Sequence, residues 1–177
     1  MRMMDDIIDL ELEKVNQILA KISKDPEDED IRSVEVSLWE KIRTKAQQGR
    51  RTGLGITAEG DMLAALGLQY GSDEAIDFAV EVQKTLAVEA YRASVQLAKE
   101  RGAFPIFDAG REKNNPMIGR IKEADPALYE EMVKSGRRNI AMLTIAPTGT
   151  TSLMSQTTSG IEPVFRPVYM RRRKVNP

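Results

Sequence analysis

Four hydroxyl side chains crowd residues 148–152, within a stretch, 146–165, that reads APTGTTSLMSQTTSGIEPVF. Thr148, Thr150, Thr151 and Ser152 follow Pro147, which stops an extended run, and Gly149 gives the backbone a tight turn. A strand, a small-residue loop and a helix N-terminus together present unpaired N–H groups and the positive end of a dipole, an arrangement that favours bound phosphate. The hydroxyls add donors, and Arg137 and Arg138 just upstream offer charge-assisted bonds. The same residue types also make an ordinary helix cap, and the Lys of a Walker motif is missing. Phosphate cradle and plain cap both stand on the residues alone.

Two zeros in the composition narrow the remaining chemistry. The chain of 177 residues contains no Cys and no His. That removes disulfides, Cys-based zinc sites, thiol nucleophiles and the Ser-His-Asp triad. Carboxylates, Lys, Arg, Tyr, hydroxyls and backbone amides are what is left, so binding is favoured over transformation. A second glycine-rich stretch, residues 49–68, carries Gly53-x-Gly55, but Gly60 falls two residues late for a dinucleotide fingerprint.

The elements that must position the hydroxyl loop are mostly helical. Ile7, Ile8, Leu12, Val15, Ile18, Leu19 and Ile22 recur at three- and four-residue steps, and Ile31, Val34, Leu38, Trp39 and Ile42 form a second stripe. Both are expected to be packing faces. Thr57 is placed to cap a helix running to about Leu66. Residues 73–100 form the longest helix: Ser72 is its N-cap, Asp73 and Glu74 suit its positive end, and Gly102 terminates it. Ile76, Ala79, Val80, Leu86, Ala87, Ala90, Tyr91, Leu97 and Ala98 make one face of it. Asn114-Asn115-Pro116 marks a turn or helix start, and Asp125-Pro126 opens a helix that Gly136 ends. The apolar run 140–145, IAMLTI, has the length of a strand buried on both faces.

Charge is unevenly spread along the chain. Residues 1–40 hold twelve acids against five bases, residues 137–177 seven bases against one acid, and the whole chain nets −1. The ends therefore suit solvated faces, each other, or a phosphate-bearing ligand. The RRRK run at 171–174 lacks aromatic interleaving, so no nucleic-acid partner is expected. No apolar run reaches the roughly 18 residues a membrane span needs, and the start has no signal-peptide layout, so no membrane partner and a cytoplasmic location are expected.

LTIAPTGTTSLMSQTTSGIEPVF, preceded by GRRN and followed by YMRRRKVNP, resembles the large catalytic subunit of ribonucleotide reductase, most of all the adenosylcobalamin-dependent class. The resemblance continues through RRTGLGITAEGDMLAALGLQYG, YRASVQLAKERGAFPIF and MMDDIID, so it covers essentially the whole chain. It implies an α/β fold, with this chain a helix-rich part of a ten-stranded α/β barrel: one segment, mostly helical over 1–136, with a strand and phosphate loop over 137–177. It also implies radical reduction of ribonucleotides to deoxyribonucleotides, with adenosylcobalamin as cofactor of the complete enzyme. Pro147, Thr148, Gly149, Thr150 and Thr151 match the substrate-phosphate loop of that family, with Ser152 a weaker candidate.

The departures matter as much as the likeness. The family's radical cysteine, its reducing cysteine pair and its Asn-x-Cys-x-Glu segment have no counterpart here, and no residue of this chain is assigned a catalytic role. The expectation is a fragment that is inactive alone. Its partners would be the ribonucleotide substrate, the rest of the catalytic subunit and, in a homo-oligomer, a second copy. Two alternatives lie outside catalysis: a nucleotide- or phosphate-binding module, and a helical interaction domain worked by the 73–100 helix.

Overall fold

Ile8, Leu12, Val15, Leu19 and Ile22 alternate steps of four and three along α1 (Arg2–Ile22), the spacing of a coiled-coil seam. In the computed structural model of the chain, which describes residues 1–170 and 172–174, Ile8, Val15 and Ile22 are buried and α1 packs on α2 (Glu29–Gly49). The matching seam of α2 runs through Trp39, Ile42, Ala46 and Gly49, the last of them buried. Ile31, Val34 and Leu38 lie on the outer side at 52–69% exposure, so the second predicted packing face is only half right. Two apolar stripes compete on α2, and the one through Trp39 and Ile42 is the less exposed.

Five further helices follow among the described residues: α3 (Glu59–Ala65), α4 (Asp73–Arg101), α5 (Pro116–Ala124), α6 (Pro126–Ser135) and α7 (Gly149–Ser155). The chain divides into two compact units, Met1–Leu54 with Gln83–Thr144, and Gly55–Val82 with Ile145–Pro177. The larger unit buries Ala87, Ala90, Tyr91 and Val95 of α4 against Ile118 and Ile121 of α5, Leu128 and Met132 of α6, and Met142. Each large side chain removed from water in this way contributes roughly 1.5–3 kcal/mol. The N-terminal part of α4 belongs to the smaller unit, where Ala75 is buried while Ile76 and Val80 are half exposed.

Local signals place the helix ends where the sequence puts them. Ser72 Oγ accepts the Ala75 N–H, Asn115 Oδ1 accepts the Met117 N–H and Asp125 Oδ1 accepts the Leu128 N–H. Pro116 and Pro126 occupy the first turns that follow the last two caps. Gly102 closes α4 at φ +85°, and Gly136 follows α6 at φ +72°. At Gly136 a side chain is excluded twice, by the positive φ and by Ala103, whose Cβ would lie 2.5 Å from an added Cβ. Thr57 does not cap α3: the residue before that helix is Ala58, itself left-handed at φ +66°.

The expected strand at 140–145 does not form. Leu54 and Leu143 make one parallel bridge, framed by bonds from Thr52 N–H to Ala141 O, Leu54 N–H to Met142 O and Thr144 N–H to Leu54 O. Met142 is buried, whereas Thr144 and Ile145 are exposed. A parallel strand needs ladder partners along its edges, and among the described residues only the 49–54 stretch bonds to the backbone of this one. The α/β expectation, with a helix-rich part of a ten-stranded α/β barrel, is thereby corrected: the described residues are helical and carry neither sheet nor barrel. The RRRK run begins at residue 171 and the VNP that follows occupies 175–177, positions outside the described residues.

Candidate phosphate loop

Within the smaller unit, the hydroxyl loop runs directly into α7. The first intrahelical bond is Ser152 N–H to Thr148 O at 2.8 Å, so the amides of Gly149, Thr150 and Thr151 precede the helical ladder and have no partner within it. All three residues are exposed, as is Pro147, while Thr148 is half-buried. Among the described residues, none bonds the hydroxyls of Thr150 and Thr151. An added Cβ at Gly149 would meet no atom within 4 Å, so open space lies beside the loop. Ser152 is buried, and its hydroxyl donates to Gly149 O at 2.9 Å. That removes it from the surface that an anion could reach.

The turn itself falls one residue earlier than the glycine. Thr148 holds φ +46° and ψ +26°, the left-handed region, which costs an L-residue about 1–2 kcal/mol. Three contacts surround it. Thr148 Oγ1 accepts the Gly160 N–H at 2.6 Å and lies 3.1 Å from Thr57 Oγ1, which is also 3.3 Å from Thr158 O. Asp61 accepts the Thr158 N–H at 2.8 Å, and the Thr158 hydroxyl is buried with no hydrogen-bond partner. Thr57, Asp61 and the 157–160 turn are therefore parts of the loop's setting that the sequence reading missed. The available signal was composition: TTSG at 157–160 repeats the Thr-and-Gly content of PTGT.

Gly60 now has a reason unrelated to dinucleotides. An added Cβ there would lie 2.6 Å from Glu162 O and 2.7 Å from Pro163 Cα, so α3 meets the backbone after the TTSG turn at a contact only glycine allows.

Arg137 and Arg138 are not spare cations. The Arg137 side chain, 2% exposed, donates to both oxygens of Glu112 and to the carbonyls of Asn139 and Ile140. Its guanidinium lies 5.3–5.7 Å from the ring centres of Tyr91, Phe104 and Phe107. Arg138 donates to Asp5 and to the carbonyls of Arg101 and Gly102. The charge-assisted bonds expected of this pair go to protein groups of the larger unit.

Asp5 is the centre of that arrangement. Its fully buried carboxylate accepts from Arg50 at 2.7 Å, Arg101 at 3.1 Å, Arg138 at 3.2 Å and Asn139 at 3.2 Å. Burial works to raise the Asp5 carboxyl, but hydrogen bonds from Arg50 and Arg138 prevail and hold it below the usual carboxylate range. Asn139 also donates to Arg50 O and meets Ser94 in a buried pair.

No group of three or more acidic side chains among the described residues could hold a metal ion. A hollow of about 340 Å³ between α1 and α2, lined by Ile8, Glu11, Ile42, Lys45, Ala46 and Arg51, is smaller than a corrin. That hollow is too small to enclose a cobalamin. None of the described helices is long and apolar enough to cross a membrane.

The sequence matches the family described as "Ribonucleotide reductase, barrel domain" over residues 2–176. A vitamin B12-dependent ribonucleoside-diphosphate reductase of Mycobacterium tuberculosis is 38% identical over 127 residues, 71% of this chain and 16% of the relative. A protein of the same name from Thermoplasma acidophilum is 33% identical over 132 residues, 75% of this chain and 15% of its own length. A ribonucleoside-diphosphate reductase subunit alpha of Treponema pallidum is 30% identical over 128 residues, 71% of this chain and 15% of the relative. The chain thus spans about a sixth of the length of the curated relatives it matches.

Proposed function

Since this chain belongs to the ribonucleotide reductase barrel-domain family, we propose that it serves a ribonucleoside-diphosphate reductase by holding the substrate's phosphates at the loop formed by Pro147, Thr148, Gly149, Thr150 and Thr151. The observation that carries this is the exposed run of amides at 149–151, ahead of the first bond of α7, with the Thr150 and Thr151 hydroxyls beside them. An anionic oxygen is satisfied by several N–H and O–H donors at once, and open space at Gly149 lets it approach the backbone. Pro147, with no N–H of its own, shapes the approach to the loop.

The same proposal assigns the radical reduction to polypeptide outside this chain. Hydrogen abstraction and dithiol reduction need thiols, and the sequence supplies none. Adenosylcobalamin, by the names of the relatives, is a cofactor of the complete reductase, where it supplies the radical. This chain's own residues bind and orient the substrate.

Calorimetric titration with ADP and with adenosine tests the reading. ADP is expected to bind and adenosine to bind far more weakly, with Thr150→Val and Thr151→Val each costing about 1.5–3 kcal/mol, the worth of a hydrogen bond to a charged group. Equal binding of ADP and adenosine, or ADP affinity unmoved in the double variant, overturns it.

A further inference from the structure

The bonds around Thr148 can be counted proton by proton. Thr57 Oγ1 stands 3.3 Å from Thr158 O, an acceptor with no proton to give, so Thr57 must donate in that contact. A hydroxyl has one proton, so in the 3.1 Å contact between Thr57 and Thr148 the donor is then Thr148. Thr148 Oγ1 also accepts the Gly160 N–H at 2.6 Å. One arrangement satisfies all three contacts: Gly160 N–H to Thr148 O–H to Thr57 O–H to Thr158 O. It leaves Thr148 no proton for a ligand.

On the phosphate-loop reading, and resting on it, we infer that Thr148 and Thr57 are positioning residues, a hydroxyl clasp that locks the loop, while Thr150 and Thr151 supply the hydroxyl donors. The clasp spans three segments of the smaller unit, at 57, 148 and 158–160. It explains why a β-branched residue rather than the adjacent glycine takes the left-handed position: a glycine there would have the backbone freedom but no Oγ1. With Thr148 fixed, the amides of Gly149, Thr150 and Thr151 are aimed before a ligand arrives, which limits the ordering cost of binding. Asp61 supports the far side by accepting the Thr158 N–H.

The test is a pair of conservative and non-conservative variants of the full chain, read by amide NMR and by titration with inorganic pyrophosphate. Thr148→Val and Thr57→Val are expected to weaken pyrophosphate binding roughly tenfold or more through misplaced donors, and Thr148→Val to shift the Gly160 amide upfield as its short bond is lost. Thr148→Ser and Thr57→Ser keep the hydroxyl and are expected to restore both. Thr150→Val should weaken binding while leaving the Gly160 amide unmoved. If Thr148→Val moves the Gly160 amide yet binds pyrophosphate as wild type does, or if Gly160 does not respond, the clasp assignment fails and the phosphate reading stands. If the wild-type chain itself does not bind pyrophosphate, the phosphate reading fails and takes the clasp's purpose with it.

Discussion

At the scale of the residue, the larger unit turns on one carboxylate. Asp5 is shared by Arg50, Arg101 and Arg138, so removing it takes one acceptor from each of three guanidinium groups. Arg50 keeps a bond to Asp9, and Arg101 one to Asp6, but both of these are half-exposed carboxylates at the rim. Breaking a buried pair from one side costs about 3–5 kcal/mol, and Asp5→Ala is expected to lower the unfolding free energy in urea by that much. The pH dependence has a definite sign. The Asp5 carboxyl sits lower in the folded chain than its unfolded value near 3.9, so its contribution is whole above about pH 4 and drains away as pH falls through the depressed value. Glu100, drawn down to about 2 by the hydrogen bond from Arg2, adds to the same trend. Urea midpoints measured from pH 7 downward should hold steady to about pH 4 and then decline; a midpoint that rises on acidification contradicts this placement.

Elements differ in how far their residues announce them. Asn115-Pro116, Asp125-Pro126, Ser72 and Gly102 mark helix ends through contacts reaching only three or four residues, and the structure uses each as expected. The run 140–145 was not legible in this way, because a strand is defined by its partner, and pairing between 52–54 and 141–144 is invisible to periodicity. On α2 the periodicity was real but double, and only the register of α1 selects Trp39 and Ile42 over Ile31 and Val34. In the candidate site the loop residues could be read from hydroxyl density, whereas Thr57 and Asp61, about ninety residues upstream, could not. Two glycines give a contrasting prediction. Gly136→Ala meets Ala103 at positive φ and is expected to cost about 1–3 kcal/mol. Gly119→Ala, inside α5 with no atom within 4 Å of the new methyl, should instead stabilise by about 0.5–1 kcal/mol. Thermal melts of the two variants must shift in opposite directions.

Across the whole molecule, the two units differ in their polar chemistry. The larger one buries two of its cations: Arg50 and Arg137 are almost fully enclosed, bound to Asp5 and Glu112. The smaller one carries an exposed loop that includes Thr150 and Thr151. Neither unit contains a thiol, so the purified chain is expected to show no reductase turnover with adenosylcobalamin, ADP and a dithiol, assayed by deoxyribonucleotide formation. Such an assay measures what the rest of a reductase must bring. The most direct test of what this chain brings is an amide NMR titration of the isotope-labelled chain with ADP. The largest shifts are expected at Gly149, Thr150 and Thr151, tapering into α7 and the 157–160 turn. Shifts centred instead on the α1–α2 hollow around Lys45 and Arg51, with the 149–151 amides silent, would show that the anion is held elsewhere and contradict the account.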